Sequence, residues 1–449
     1  MSKLFARIAR HPIRLVPITF VVVILAAGGL LMLPVAQADP GSTHWVDAFF
    51  TSTSAITVTG LVTLDTPVHW TMFGEGVIMV AMQVGGLGIM TSAAFLGLLV
   101  SKKLGLRSRL IAQAELHTSV SLGDLRGVIL RAFVVAGLVE LTVAVILTLR
   151  FHFHYGMPTG EAMWQGLFHG VSSFNNGGFS LFSDSLMGFV NDPWVIGPVA
   201  AASIIGSLGM PVIFELTRRG WGRRKWTLHT KMTLAGTSIL FAGGMVVFLA
   251  FEWSNPATLG PMGWHEKLWP AFFQSAMLRT TGFNSIDVGA MQEHSLLTSI
   301  VLMFIGGGSA STSGGIKVTT FFVLLWVIWS EVRGEPDASA FRTRLSVAVI
   351  RQSLTIALIY VAANAAAIVT MQMFEPQFAL HEIMFEVTSA LATVGQSTGI
   401  TADLSTPSRL LIVFLMFVGR IGPVLLATSL AMRTRQRLYR YPEGRPLVG

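Results

Sequence analysis

The feature that most constrains this chain is a glycine-bearing turn that occurs four times, each time in the same company. The turns read Thr57-Val58-Thr59-Gly60, Asn175-Asn176-Gly177-Gly178, Thr280-Thr281-Gly282 and Thr393-Val394-Gly395. A long apolar run precedes each one, at about 13–35, 128–149, 232–251 and 348–373. Between run and turn lies an amphipathic stretch at 45–55, 161–173, 266–278 or 379–391. That stretch is too short to cross a bilayer, which takes about 20 helical residues. A second apolar run follows, at about 73–98, 190–216, 296–329 and 409–431. Just upstream of each turn stand Ser54-Ala55, Ser172-Ser173, Ser275-Ala276 and Ser389-Ala390. A period of roughly 105–120 residues held over four copies ties the turns to one architecture.

Composition says which solvent this architecture meets. Of 449 residues, 52% are hydrophobic and 12% charged, and the mean hydropathy is +0.64. Soluble domains carry about 25% charged residues, so most of this surface faces lipid. There is no cysteine, which excludes disulfides and thiolate metal sites. The net charge of +8 is distributed in clusters. Basic residues gather at Lys3/Arg7/Arg10/Arg14, Lys102 to Arg131, Arg218 to Lys231, Arg333 to Arg351 and Arg433 to Arg445. Acids such as Asp39, Asp65, Asp184, Asp287 and Asp403 fall in the intervening segments. This alternation follows the positive-inside rule and predicts cytoplasmic termini. Nucleic-acid binding is set aside, because no basic cluster is interleaved with stacking aromatics. The first apolar run is long enough to span and lacks a clear cleavage site, so it is not read as a signal peptide.

A short helix ending in irregular backbone at membrane depth is tolerated only inside protein or beside water. Four such re-entrant loops around one axis meet that condition. Glycine allows each backbone to aim carbonyls at a dehydrated cation, and the hydroxyls of Thr57, Thr59 and Thr393 can add oxygens. The expected fold is therefore an all-α integral membrane protein of four pseudo-fourfold helix–pore-loop–helix repeats. It would have eight transmembrane helices and four re-entrant pore helices, with repeats at 1–105, 106–228, 229–340 and 341–449.

The turn sequences also resemble a known family. Ser54-Ala-Ile-Thr-Val-Thr-Gly-Leu61, Phe174-Asn-Asn-Gly-Gly-Phe179, Thr280-Thr-Gly-Phe-Asn284 and Ala392-Thr-Val-Gly-Gln-Ser397 are similar to the pore loops of the Trk/Ktr/HKT potassium transporter superfamily. Gln83-Val-Gly-Gly-Leu-Gly-Ile-Met90 and the segment from Gly306 to Lys317 resemble its post-filter helices. The likeness covers nearly the whole chain and is strongest to the Ktr branch, which begins directly with the first repeat. Two positions depart from the family pattern: Gly177 stands where Ala is usual, and Gln396 where Leu is common. Neither removes a filter glycine.

The resemblance implies a potassium-selective uptake pore in the bacterial inner membrane, with potassium at the carbonyls of Thr59, Gly60, Gly178, Gly282 and Gly395. It implies a homodimer with one pore per subunit and stimulation by sodium. It also implies an octameric cytoplasmic ring of KtrA-type nucleotide-binding (RCK) subunits, the nucleotide residing on that partner. One glycine per loop, in four non-identical loops, predicts moderate discrimination against sodium.

The third second run is interrupted by Gly306-Gly307-Gly308-Ser309-Ala310-Ser311-Thr312-Ser313-Gly314-Gly315, a stretch no helix holds well. With Lys317 it reads as an intramembrane gating loop, a structural kink being the alternative. A phosphate loop is disfavoured, since Ile316 separates Gly315 from Lys317. Arg420, well inside the last run, must face protein or water. It is expected to hold the Gly306–Gly315 loop through its carbonyls, a plain tie to helix-end carbonyls being the other reading. Arg279 is expected to brace the turns through a nearby carboxylate, among Asp287, Glu382 and Glu386. Glu140 has no partner legible in the sequence, and the histidines read as interfacial residues. No catalytic motif is present, so transport is expected, not catalysis. A coupled Na+/K+ symporter stays open as an alternative, although such folds usually show inverted repeats.

Overall fold

The computed structural model describes residues 12–103, 122–219 and 226–432. The outermost basic clusters, at Lys3 to Arg10 and Arg433 to Arg445, lie outside the described residues, as do most of those around 104–121 and 220–225. The chain is mostly helical. The only strands among the described residues are a short hairpin, β1 (Ser339–Ala340) with β2 (Thr343–Arg344).

The first quarter comprises α1 (Pro12–Leu31), the short α2 (Trp45–Thr57), one turn of helix α3 (Thr66–His69) and α4 (Met72–Lys103). Next come α5 (Leu122–Phe153), the short α6 (Thr159–Asn175), α7 (Pro193–Leu208) and α8 (Met210–Arg219). Then follow α9 (Leu228–Glu252), the short α10 (Leu268–Met277), α11 (Glu293–Phe304) and α12 (Val318–Val332). The last quarter holds α13 (Val347–Phe374), the short α14 (Leu380–Ala392) and α15 (Thr406–Met432).

Polarity is distributed inside out. Along α5 the residues Leu130, Phe133, Val134, Leu138, Leu141, Val145 and Leu149 are all exposed. Their spacing of three, four and seven marks an apolar outer face, far larger than the patches a soluble protein shows. On α13, Leu354, Leu358, Val361 and Val369 are exposed in the same way. The short helices instead bury polar side chains: Ser52, Ser54, Ser172, Ser173, Gln274, Ser275, Thr388 and Ser389 are almost wholly inaccessible. Lipid outside and polar groups inside make this a multi-pass membrane protein. Five helices of the described residues are long and apolar enough to cross a bilayer.

Two of the remaining apolar runs are broken. The run expected as one element at 190–216 bends by 97° between α7 and α8. The bend falls at Gly209, whose φ is +89°. A Cβ there would lie 2.3 Å from the Ser309 carbonyl oxygen. Glycine thus permits the bend, and the segment after α11 occupies the space a straight helix would take. The other break is that segment itself, residues 305–317, between α11 and α12. Interruption is therefore not confined to the third quarter of the chain, as the sequence suggests; the second shares it.

Candidate functional site: a ring of four turns and a clamped loop

The C-termini of the short helices converge. At Gly60, Gly178, Gly282 and Gly395 φ lies at +95°, +71°, +85° and +96°. Two positions earlier, Val58, Asn176, Thr280 and Thr393 also have positive φ, with a residue outside the left-handed region between. This alternation is costly for non-glycine residues, and it turns successive carbonyls the same way.

The four glycines touch in chain order. A Cβ on Gly60 would lie 2.7 Å from Gly177 O and 3.0 Å from Gly178 Cα. One on Gly178 would meet Thr281 O at 2.4 Å and Gly282 Cα at 3.1 Å. One on Gly282 would meet Val394 O at 2.6 Å and Gly395 Cα at 3.2 Å. One on Gly395 would meet Thr59 O at 1.9 Å and Gly60 Cα at 3.0 Å. The ring closes: each glycine leaves room for the carbonyl that precedes the next.

Three turns are held alike. Val58 N and Thr59 N donate to Ala55 O and Ser54 O; Asn176 N and Gly177 N donate to Ser173 O and Ser172 O; Thr393 N and Val394 N donate to Ala390 O and Ser389 O. These pairs satisfy helix-end carbonyls in the manner of a left-handed C-cap. Gly60 N also donates to Ser54 Oγ (3.0 Å), and Gly395 N to Ser389 Oγ (3.1 Å). In the second turn Ser172 Oγ donates to Phe179 O (2.9 Å) instead.

The third turn differs. Its helix ends at Met277 with Leu278 still right-handed, and Thr281 N and Gly282 N both donate to Met277 O. It carries one residue more between serine and glycine, so Ser275 does not match Ser54, Ser172 and Ser389 as the sequence suggests. Ser275 Oγ donates to Phe241 O (2.9 Å).

Several predicted residues serve behind the ring. Thr57 Oγ1 donates to Thr53 O (2.7 Å) and meets Thr59 Oγ1 at 2.7 Å. Asn175 Nδ2 donates to Gln83 Oε1 (2.7 Å) and Glu140 Oε1 (3.0 Å), and Gln83 Nε2 donates to Glu140 Oε2 (3.2 Å). Glu140 thus finds two amides contributed by different quarters of the chain. The Asn176 amide accepts from Ser313 Oγ (3.2 Å) and donates to Ser173 O and Ser203 O. Thr393 Oγ1 has no partner among the described residues.

Residues 305–317 form a loop with a closed neck. Gly306 N donates to Ile316 O (2.8 Å), Ile316 N to Phe304 O (3.2 Å), and Val318 N to Gly307 O (3.0 Å). One flank lies on the α7–α8 break: Gly308 N donates to Ser207 O (2.7 Å), and Met210 N to Ala310 O (3.3 Å). The other reaches the ring. Thr312 Oγ1 donates to Phe174 O (3.4 Å), and a Cβ on Gly314 would lie 2.0 Å from Thr393 Oγ1. Ser309 Oγ lies 3.4 Å from Thr319 Oγ1, and Gly315 has φ +64°.

Three cations reach the loop's carbonyls. Arg420 Nη1 donates to Thr312 O, Lys317 Nζ to Ser313 O (2.5 Å), and Arg279 Nη2 to Gly306 O (2.6 Å). Arg279 also stacks on Phe241, 5.0 Å from the ring centroid. The expected carboxylate partner for Arg279 is replaced by backbone. Asp287 caps Gly289 N, and Glu382 caps Ala379 N. Glu386 is bonded to Thr401 Oγ1. The histidines need one correction as well. His169 is fully buried, between Gln165 O (2.8 Å) and Ser180 Oγ (3.0 Å), and stacks on Phe182 and Phe283. It is a core residue.

A polar-cored helical membrane protein with four converging turns belongs among ion-translocating proteins. Residues 7–436 match the family model described as TrkH, cation transport protein, and the chain belongs to that family. It is 39% identical over 98% of its length, and 97% of the relative's, to Ktr system potassium uptake protein B of Bacillus subtilis (strain 168). It is 35% identical to potassium/sodium uptake protein NtpJ of Enterococcus hirae, over 98% of this chain and 97% of that one. The crystal structure of the potassium transporter TrkH from Vibrio parahaemolyticus superposes with a TM-score of 0.70. At 18% identity it covers 93% of this chain and 85% of that one, and this likeness concerns the fold.

Proposed function

We propose that this chain is the potassium-translocating subunit of a Ktr-type uptake system in the bacterial inner membrane, its four helix–loop–helix repeats surrounding one pore. The closed ring of Gly60, Gly178, Gly282 and Gly395 carries the reading. Four inward-turned backbones can replace the hydration shell of a dehydrated cation, with potassium at the carbonyls of Thr59 and the four glycines. The loop from Gly306 to Gly315 is the gate, clamped by Arg420 and Lys317. Its contact with both the ring and the α7–α8 break supports that role.

That the Bacillus relative is named as protein B of a Ktr system supports a partner subunit; a KtrA-type nucleotide-binding ring as that partner, and a homodimeric assembly, are proposed on the resemblance of the turns to the superfamily. A relation to sodium is supported by the potassium/sodium uptake name of the Enterococcus relative, and sodium stimulation is the form of it proposed here. The basic clusters support cytoplasmic termini. A coupled symporter would move sodium and potassium in fixed ratio, whereas a pore runs down the gradient without stoichiometric coupling.

The test is growth rescue of a potassium-uptake-deficient bacterium with Gly60, Gly178, Gly282 and Gly395 changed singly to Ser. Loss of potassium preference at all four is expected. Indifference at two or more would sink the filter.

A further inference from the structure

The third turn is held differently from the other three. It lacks the serine-to-glycine bond of the first and fourth, and its glycine N–H reaches Met277 O at 3.3 Å. Directly after Gly395 in the fourth turn stands Gln396, whose counterparts after the other glycines are Leu61, Phe179 and Phe283. Gln396 Nε2 donates to Phe283 O, the carbonyl directly after Gly282, at 2.7 Å. It also donates to Gln274 Oε1 at 3.2 Å, and Gln274 Nε2 donates back to Gln396 Oε1 at 2.8 Å. Gln274 sits on α10, the short helix that leads into the third turn. Gln274 is 0% exposed and Gln396 2% exposed, so neither amide has water as an alternative.

We propose that Gln274 and Gln396 form a clasp that fixes the third turn against the fourth and so sets the ion preference of the ring. Both residues are positioning residues; neither need touch the ion. The inference rests on the reading of the ring as the filter. The clasp joins the element before Gly282, the residue after it and the residue after Gly395, so it fixes both ends of the seam between these turns. Residues bonded to each other do not contribute independently, so the effects of removing them should not add. That coupling makes the pair testable as a pair.

The experiment measures the ratio of potassium to sodium uptake by the full chain in a potassium-uptake-deficient bacterium. Gln396→Leu, and the length-preserving Gln396→Met should the first fail to accumulate, are expected to lower the ratio about tenfold. Gln274→Leu should lower it similarly, and the double variant Gln274→Leu/Gln396→Leu should fall no further than Gln396→Leu alone, because both changes remove the same clasp. A merely structural role would lower total flux and leave the ratio alone. Gly60→Ser, on the far seam, is the control. If Gly60→Ser collapses the ratio while the glutamine variants leave it within about twofold, the clasp is wrong and the filter stands. Should the double variant be as poor as the two singles combined, the pairing is wrong. If Gly60→Ser also leaves the ratio unchanged, the filter reading falls with it.

Discussion

The ring of turns and the loop beneath it are both built from glycine and hydroxyl residues, yet they are held by opposite means. The ring holds itself. All four turns are tied by main-chain bonds to their own short helices, three of them also by serines six residues upstream of the glycine, and the circuit closes glycine to glycine. The Gly306–Gly315 loop closes its neck with its own main chain, but beyond the neck it is held by side chains, Arg279 and Arg420 from distant segments and Lys317 from its own end, donating to carbonyls at Gly306, Thr312 and Ser313. A self-closed structure resists displacement, because every turn would have to move together. An externally clamped loop has a second position available whenever its clamps release. If the ring is the filter and the loop the gate, as proposed above, ion preference and gating should be separable by mutation.

The sharpest way to break this comparison is Arg420→Ala. A hydrogen bond to a charged group contributes about 1.5–3 kcal/mol, so losing this clamp should raise the open population at least about tenfold. Potassium uptake should rise by that order while the potassium-to-sodium ratio stays put. A changed ratio with unchanged uptake would mean that the loop belongs to the filter.

A middle-sized effect separates the turns among themselves. Ser389→Ala removes the bond to Gly395 N, a loss of about 1 kcal/mol, and should lower the uptake ratio about threefold to fivefold. Ser275→Ala, whose hydroxyl serves Phe241 O, should leave the ratio alone. Equal effects from the two would erase the distinction drawn between the third turn and the others.

The smallest expected effect lies at the rim. Arg409 Nη1 pairs with Asp47 Oδ1 at 2.6 Å, joining α15 to the first short helix. Asp47 is buried, but Asp47→Asn keeps an oxygen acceptor for the guanidinium, so thermal stability should fall by only about 1 kcal/mol, read as a modest fall in the unfolding midpoint in detergent, with no change in the uptake ratio.

Much of this was legible in the sequence, and the limit is physical. A glycine that must adopt positive φ at the end of a short helix announces itself locally, so all four ring members could be named from the chain alone. Polar residues in an apolar run are equally conspicuous, which is why the loop and Arg420 stood out together. Partnerships across distant segments leave no local trace. Nothing near Arg279 says that its guanidinium reaches Gly306 O, or that Glu140 lies between Gln83 and Asn175. The third turn's extra residue is countable, seven positions from Ser275 to Gly282 against six in the other turns, but the likeness of Ser275-Ala276 to its counterparts draws the eye from it. The α7–α8 break did leave a signal, in Gly209 followed by Pro211, but long apolar runs around it suggested continuity.

The closing of the ring within one polypeptide has a genetic consequence. In a pore assembled from four identical subunits, one codon change alters every quadrant at once. Here it alters a single quadrant and leaves three as they were. With the ring as the filter proposed above, such a chain can explore ion preference in quarter steps, and Gln396, with polarity at only one of four equivalent positions, would be a step of that kind.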